Sequence, residues 1–131
     1  MTNKIDHPDF WENLQPGQIT TTLMDMLSDT LVYVKNRKSE YIYVNNAFTK
    51  TLHLGSEDII NKSDTDLFGK ELASSYILDD ERVMTGQQPL TGKAELVTHR
   101  PGIVKWYLTS KIPLYNKNQE VIGLAGLTRP S

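Results

Sequence analysis

Asp79-Asp80-Glu81 sets three carboxylates side by side, and Asp80 falls on the line Leu72, Tyr76, Asp80, Val83, Met84, whose spacing is helical. A carboxylate on the packed side of a helix has two uses. It bonds backbone amides or a nearby lysine, such as Lys111 in TSKIP, at the edge of a domain, or it contacts a bound polar ligand. Asp79 and Glu81 read as a solvated face. Tyr33, Tyr43, Tyr76 and Tyr107 carry hydroxyls that need partners if buried. His53 falls at the exposed end of a short helix and His99 beside a hairpin turn, and both read as surface positions rather than metal or haem ligands.

Catalysis needs a nucleophile or an acid–base pair within hydrogen-bond reach. The chain has no Ser-His-Asp order with supporting motifs, no HExxH and no glycine loop to cradle phosphate. Its glycines at 55, 69, 86, 102, 123 and 126 scatter over turns and the last strand. No catalytic residue and no metal site is expected, and an enzyme is the least supported class.

The elements that position these residues follow from composition and period. The chain has 131 residues, enough for one domain with a sizeable core, and 38% hydrophobic against 23% charged residues favours a folded state over disorder. Lys+Arg number 14 and Asp+Glu 16, with no basic cluster, so no direct nucleic-acid contact is expected. There is no cysteine, which excludes disulfides, thiolate metal sites and thiol nucleophiles. The start lacks the apolar core of a signal peptide, and no apolar run approaches the ~18 residues of a membrane span. A cytoplasmic chain, or the cytoplasmic part of a larger one, is the expectation.

Residues 1–18 are polar, carry Pro8, Pro16 and Gly17, and read as a loosely held, flexible arm with Phe10, Trp11 and Leu14 available for docking. Ile19, Leu23, Met26 and Leu27 fall at i, i+4, i+7, i+8 and predict a helix over 19–28. LVYVK and YIYVN are short, β-branched and aromatic, and predict a hairpin around Asn36–Ser39. Asn45 suits an N-cap for a helix over Ala47–Leu54, with Gly55 at its left-handed end. Ser63 or Asp64 caps the next helical stretch, and the helix over Lys70–Thr85 stops at Gly86. The period then changes to two: LTGKAELVTH and IVKWYLTSKIPL flank Pro101-Gly102, the usual centre of a type II turn, and VIGLAGLT is a final strand. A five-stranded antiparallel sheet with a helical cover on one face accounts for this order.

LVYVKNRKSEYIYVNNAF, INKSDTDLFGKELA, YILDDERVMTG, WYLTSKIPL and EVIGLAGLTR, in this order and spacing, resemble a PAS domain, the sensory module of bacterial signalling proteins. The likeness implies an α+β fold: a PAS sheet of five antiparallel strands, short helices on one face and an N-terminal flanking helix. It divides the chain into an arm over 1–18, a flanking helix over 19–30 and the PAS domain over 31–129. Such domains hold a small molecule between sheet and helices, or they pair, and they pass the change out through the last strand.

In the family's register Tyr33, Ile42, Val44, Val97, Tyr107, Thr109 and Ala125 face the helices, where Phe48, Phe68, Leu72, Tyr76 and Asp80 complete a ligand site. The opposite face carries Val32, Val34, Leu96, Trp106, Leu108, Ile122 and Leu124, too apolar for water. It is expected to lie under the flanking helix, a second subunit, or both. Ile19, Leu23, Met26, Leu27, Trp106 and Leu108 then form a homodimer interface. A slip of one residue exchanges the two sets.

The inward set is either a packed core or the wall of a cavity of several hundred Å³ for a small metabolite. The light-sensing flavin class of the family needs a cysteine, which is absent, and has a glutamine where Ala125 stands. The haem class has a histidine on the long helix, and Lys70–Thr85 has none. Both cofactors are therefore set aside. The resemblance implies a sensor whose output region lies outside these residues, with a transcriptional regulator slightly ahead. The alternative is a ligand-free dimerisation module of a sensor histidine kinase or diguanylate cyclase.

Overall fold

A computed structural model describes residues 7–131, apart from Pro101 and the side chains of His99 and Arg100. The expectations for residues 1–6 of the arm, for His99 and for Pro101 lie outside the described residues.

The chain forms α1 (Pro8–Asn13), a π-helical turn (Gln18–Leu23), a 3₁₀ turn (Met24–Met26), β1 (Leu31–Asn36) and β2 (Tyr41–Val44). Then come α2 (Asn46–Leu52), a 3₁₀ turn (Ser56–Asp58), α3 (Asp64–Gly86), β3 (Leu90–Arg100), β4 (Ile103–Tyr115) and β5 (Val121–Pro130). The five strands make one antiparallel sheet in the order β2-β1-β5-β4-β3. This is the expected α+β architecture.

Local chemistry explains the joints. Asn45 Oδ1 accepts from Phe48 N at 3.2 Å and so caps α2. Its Nδ2 donates to the carbonyls of Met24 and Thr30, clamping the segment before β1. Ser63 and Asp66 form a reciprocal capping box at the start of α3. The left-handed residue after α2 is His53 (φ 57°), not Gly55, and the one after α3 is Gln87 (φ 53°), one past Gly86. Gly69 (φ 80°, ψ 163°) breaks α3 after its first turn, a conformation that favours glycine.

The flanking segment departs from expectation. Residues 18–26 form a π-helical turn and a 3₁₀ turn, and Leu27 is already extended, so there is no continuous α-helix over 19–28. Three successive threonines disfavour an α-helix here. The segment is held instead by its ends: Tyr43 OH donates to Thr20 O at 2.9 Å, and Asn46 N donates to Asp25 Oδ1 at 2.9 Å. Within the arm, α1 leaves Phe10 and Trp11 exposed, edge to face with each other.

The core lies between the sheet's inner face and α2, α3 and the turns joining them. Leu31, Tyr33, Tyr41, Val44, Phe48, Leu52, Ile59, Tyr76, Met84, Val97, Tyr107 and Leu124 form one buried cluster.

Two strand orientations are corrected. In β2, Tyr43 pairs with Val34 and Tyr41 with Lys35, so Ile42 is the extra residue of a bulge and is 52% exposed instead of facing the helices. In β5, Leu124 faces inward, fully buried, while Ala125 lies on the outer face beside Val34 and Ile112.

Candidate functional site

Side chains two apart on a strand share a face, so Tyr33 and Lys35 of β1 lie on the inner face with Leu31. Lys35 is 1% exposed. A buried ammonium must be paired, and Lys35 Nζ lies 2.5 Å from Asp64 Oδ2 and 2.7 Å from Asp80 Oδ2. It also sits over the ring of Tyr41, 4.7 Å from the centroid. Burial alone lowers its pKa, but the two carboxylates outweigh that and hold it above the ordinary lysine value.

The network continues on both sides. Tyr41 OH donates to Asp64 Oδ1 at 2.5 Å, and Lys111 Nζ, from β4, donates to Asp80 Oδ1 at 2.6 Å. Burial, then the Asp64 charge, pushes the Tyr41 phenol well above its ordinary value. Asp80 thus takes the lysine partner foreseen for it, and that partner is Lys111, joined by Lys35. Asp79 is also buried, not solvated, and pairs with Lys93 at 2.5 Å.

A second polar chain crosses the sheet. Tyr33 OH lies 3.3 Å from Thr128 Oγ1, Thr128 Oγ1 3.0 Å from Thr109 Oγ1, and Thr109 Oγ1 donates to Glu95 Oε2 at 2.7 Å. Each hydroxyl has one proton, so with Thr109 donating to Glu95 the bonds run Tyr33 to Thr128 to Thr109 to Glu95. The remaining oxygen, Glu95 Oε1, has no hydrogen-bond partner, the one such buried side-chain atom among the described residues. Burial raises the Glu95 pKa, with Thr109 and Lys111 pulling it partly back.

Between the two chains lies an interior cavity of about 20 Å³, room for a single water-sized group. Tyr33, Phe48, Phe68, Tyr76 and Val97 line it, as do Lys35, Tyr41, Asp64, Glu95, Lys111 and Thr128. Val44, Asp80, Tyr107 and Thr109 are buried close by, and Leu72 packs on the core from α3. Phe68 stacks edge to face on Tyr76, whose hydroxyl donates to Leu96 O. Ile42 and Ala125 lie away from the cavity.

The sequence places none of Lys35, Tyr41, Glu95 and Thr128 in the site, and it reads Asp64 only as a possible helix cap. Lys35 carried a signal: it stands two residues after Tyr33 on an alternating strand.

The outer sheet face is apolar and incompletely covered. Leu96, Val104, Trp106, Ile112 and Leu127 are 38–58% exposed. A groove of about 650 Å³ runs between Leu23, Met24, Met26 and Leu27 of the flanking segment and Leu108 and Leu127 of the sheet. A second groove, of about 310 Å³, lies beside it over Val32, Val34 and Ala125. The residues expected to form a dimer interface thus border one surface, except Ile19, which is exposed on the π-helical turn. Among the described residues no helix is long and apolar enough to cross a membrane.

The family profile of the PAS fold matches residues 25–130. A diguanylate cyclase of Vibrio cholerae serotype O1 (strain ATCC 39541 / Classical Ogawa 395 / O395) is 29% identical over 98 residues, 74% of this chain and 30% of the cyclase. The chain therefore spans under a third of that relative. The PAS domain of a Colwellia psychrerythraea protein superposes with a TM-score of 0.71 at 17% identity, over 84% of this chain and 92% of that one. Vibrio cholerae VqmA, in a complex with ligand and DNA, superposes with a TM-score of 0.74 at 18% identity, over 90% of this chain and 52% of VqmA. At these identities the two superpositions establish the fold alone.

Proposed function

Because the chain belongs to the PAS fold family, we propose that it is the sensory and relay module of a larger signalling protein, working as a homodimer. The observation that carries this reading is the pair of neighbours Leu127 and Thr128. Thr128 ends in the interior, on the chain from Tyr33 to Glu95, and Leu127 stands on the outer face in the apolar groove. β5 lies between β1 and β4, so a change in what Thr128 bonds shifts a strand that also forms the outer surface. A signal inside then becomes a preference between two pairings outside.

The relatives supply two kinds of output. VqmA has been seen bound to ligand and DNA and as a dimer, and the 29% identical relative is a diguanylate cyclase. An output region of the first kind makes this chain the sensor of a transcriptional regulator; one of the second kind makes it a regulatory module of a cyclase. The small interior cavity favours a second reading, in which the domain relays through dimerisation with no metabolite inside.

Sedimentation of the purified chain and of Leu127→Asp tests the relay surface. The parent is expected to dimerise, and the variant to be monomeric with an unchanged circular dichroism spectrum. A parent that stays monomeric at millimolar concentration, or a dimer indifferent to the substitution, overturns this reading.

A further inference from the structure

Glu95 is 8% exposed, and its Oε1 has no partner, whereas the other polar side chains around the cavity have found theirs. Lys35 is committed to Asp64 and Asp80, Lys111 to Asp80, Tyr41 to Asp64, and Tyr33 to Thr128. Glu95 Oε1 is therefore the one buried side-chain atom at the cavity, among the described residues, with no partner at all. The charges agree with this: two ammoniums, of Lys35 and Lys111, stand among three carboxylates, of Asp64, Asp80 and Glu95. The Lys93–Asp79 pair at the rim closes on itself.

We propose that the cavity binds the ammonium group of a compact amine, with Glu95 Oε1 as its acceptor. This deepens the sensory reading above and rests on it. An anion would meet Glu95 head on, and a group without a donor would leave Oε1 as it stands. An ammonium supplies both the donor and the missing positive charge. The size fits, since about 20 Å³ takes one water-sized group and an ammonium is that large. The rings of Phe48 and Phe68 bound the same space, beside those of Tyr33 and Tyr41 that Lys35 Nζ already covers at 5.5 and 4.7 Å, and aromatic rings attract cations. Phe68 stands next to the break in α3 at Gly69 and is only partly buried, so the alkyl end of the amine leaves on its side.

The test is a titration followed in amide ¹H–¹⁵N spectra of the whole chain at constant ionic strength. The probes are ammonium, methylamine and ethylamine chlorides. Sodium and tetramethylammonium chlorides and methanol serve as controls. Saturable shifts at Glu95, Thr109 and Thr128 are expected for the small amines and not for the controls. Glu95→Gln, which keeps shape and can still accept from Thr109, should weaken binding by about tenfold or more. Val97→Phe, which fills the cavity from two residues along the same strand, should abolish it with the Glu95 carboxylate in place. The proposal is overturned if no amine gives a saturable shift, if methanol matches methylamine, or if Glu95→Gln binds as the parent does. None of these outcomes alters the dimerisation result, so the two readings fail separately.

Discussion

Lys111 Nζ lies 2.6 Å from Asp80 Oδ1, and the other oxygen of the same carboxylate holds Lys35 at 2.7 Å. The two lysines come from β4 and β1, which are not neighbours in the sheet, since β5 runs between them. One carboxylate from α3 therefore ties together the two strands that flank β5. Asp64, one turn before the break at Gly69, anchors the start of the same helix to Lys35 and Tyr41.

Lys35→Met leaves Asp64 buried without its cation, and breaking a buried ion pair by removing one partner costs about 3–5 kcal/mol. Urea unfolding should show a loss of that size. Adding Asp64→Asn should recover part of it, with a coupling of roughly 0.5–3 kcal/mol between the two changes. Strict additivity would mean that the pair is not coupled as the geometry requires.

Asn45 is fully buried, and its side chain accepts from Val32 N and Phe48 N while donating to Met24 O and Thr30 O. Asn45→Ala removes the cap of α2, worth about 1 kcal/mol, and strands buried backbone groups at roughly 1–3 kcal/mol more. Hydrogen exchange should accelerate first at residues 24–32 and only later in β3 and β4.

Two glycines separate crowding from conformation. A Cβ on Gly123 would stand 2.2 Å from the backbone oxygen of Lys35, which cannot move without parting β1 from β5. A Cβ on Gly69 meets nothing within 4 Å, and its cost is that of holding a side chain at φ 80°, ψ 163°, a region all but confined to glycine, about 1–3 kcal/mol. Thermal melts should place Gly69→Ala a few degrees below the parent and Gly123→Ala far lower or unfolded. The reverse order would contradict the β1–β5 register.

Glu95 carries a pH dependence with a definite sign. Burial raises its pKa, so the folded state holds that proton more tightly than the unfolded state. Its contribution is full below the ordinary carboxylate value, near 4.3, and is lost as pH rises through the raised folded value. Glu95→Gln is always neutral and escapes the loss. It should melt higher than the parent at pH 8, with the gap closing as pH approaches 4.5. A gap that widens toward acid would mean that the carboxylate is stabilised, not penalised, in the fold.

The strands, the α3 helix and the caps at Asn45 and Ser63 were legible because each rests on a local rule: alternation, helical spacing, or a side chain answering a free amide. Where two faces of a strand are equally apolar the rule has no purchase. VIGLAGL offers no polar residue to mark the outer side, so its phase was free to be taken one residue off, and Leu124 and Ala125 exchanged faces. In YIYV the bulge at Ile42 inserts a residue that alternation cannot announce. The candidate site was half legible. Its walls at Tyr33, Phe48, Phe68 and Tyr76 came from the register of the resembled family, but a lysine in a strand reads as solvent-facing, and only the fold brings Asp64 and Asp80 to Lys35. Glu95 was hidden for the same reason, since its partners Thr109 and Thr128 lie on two other strands.

β5 follows the other four strands in sequence and is the middle strand of the sheet. During synthesis, β1–β2 and β3–β4 emerge as two separate hairpins, each with an edge that stays unpaired until residues 121–130 are made. The lysines that share Asp80 cannot be brought to their final spacing before then. Such late, sequence-distant closure slows folding and leaves open strand edges to be shielded in the meantime. A ribosome-stalled chain ending near residue 120 should therefore be open to proteases across both hairpins, and should become resistant in a single step once β5 has emerged.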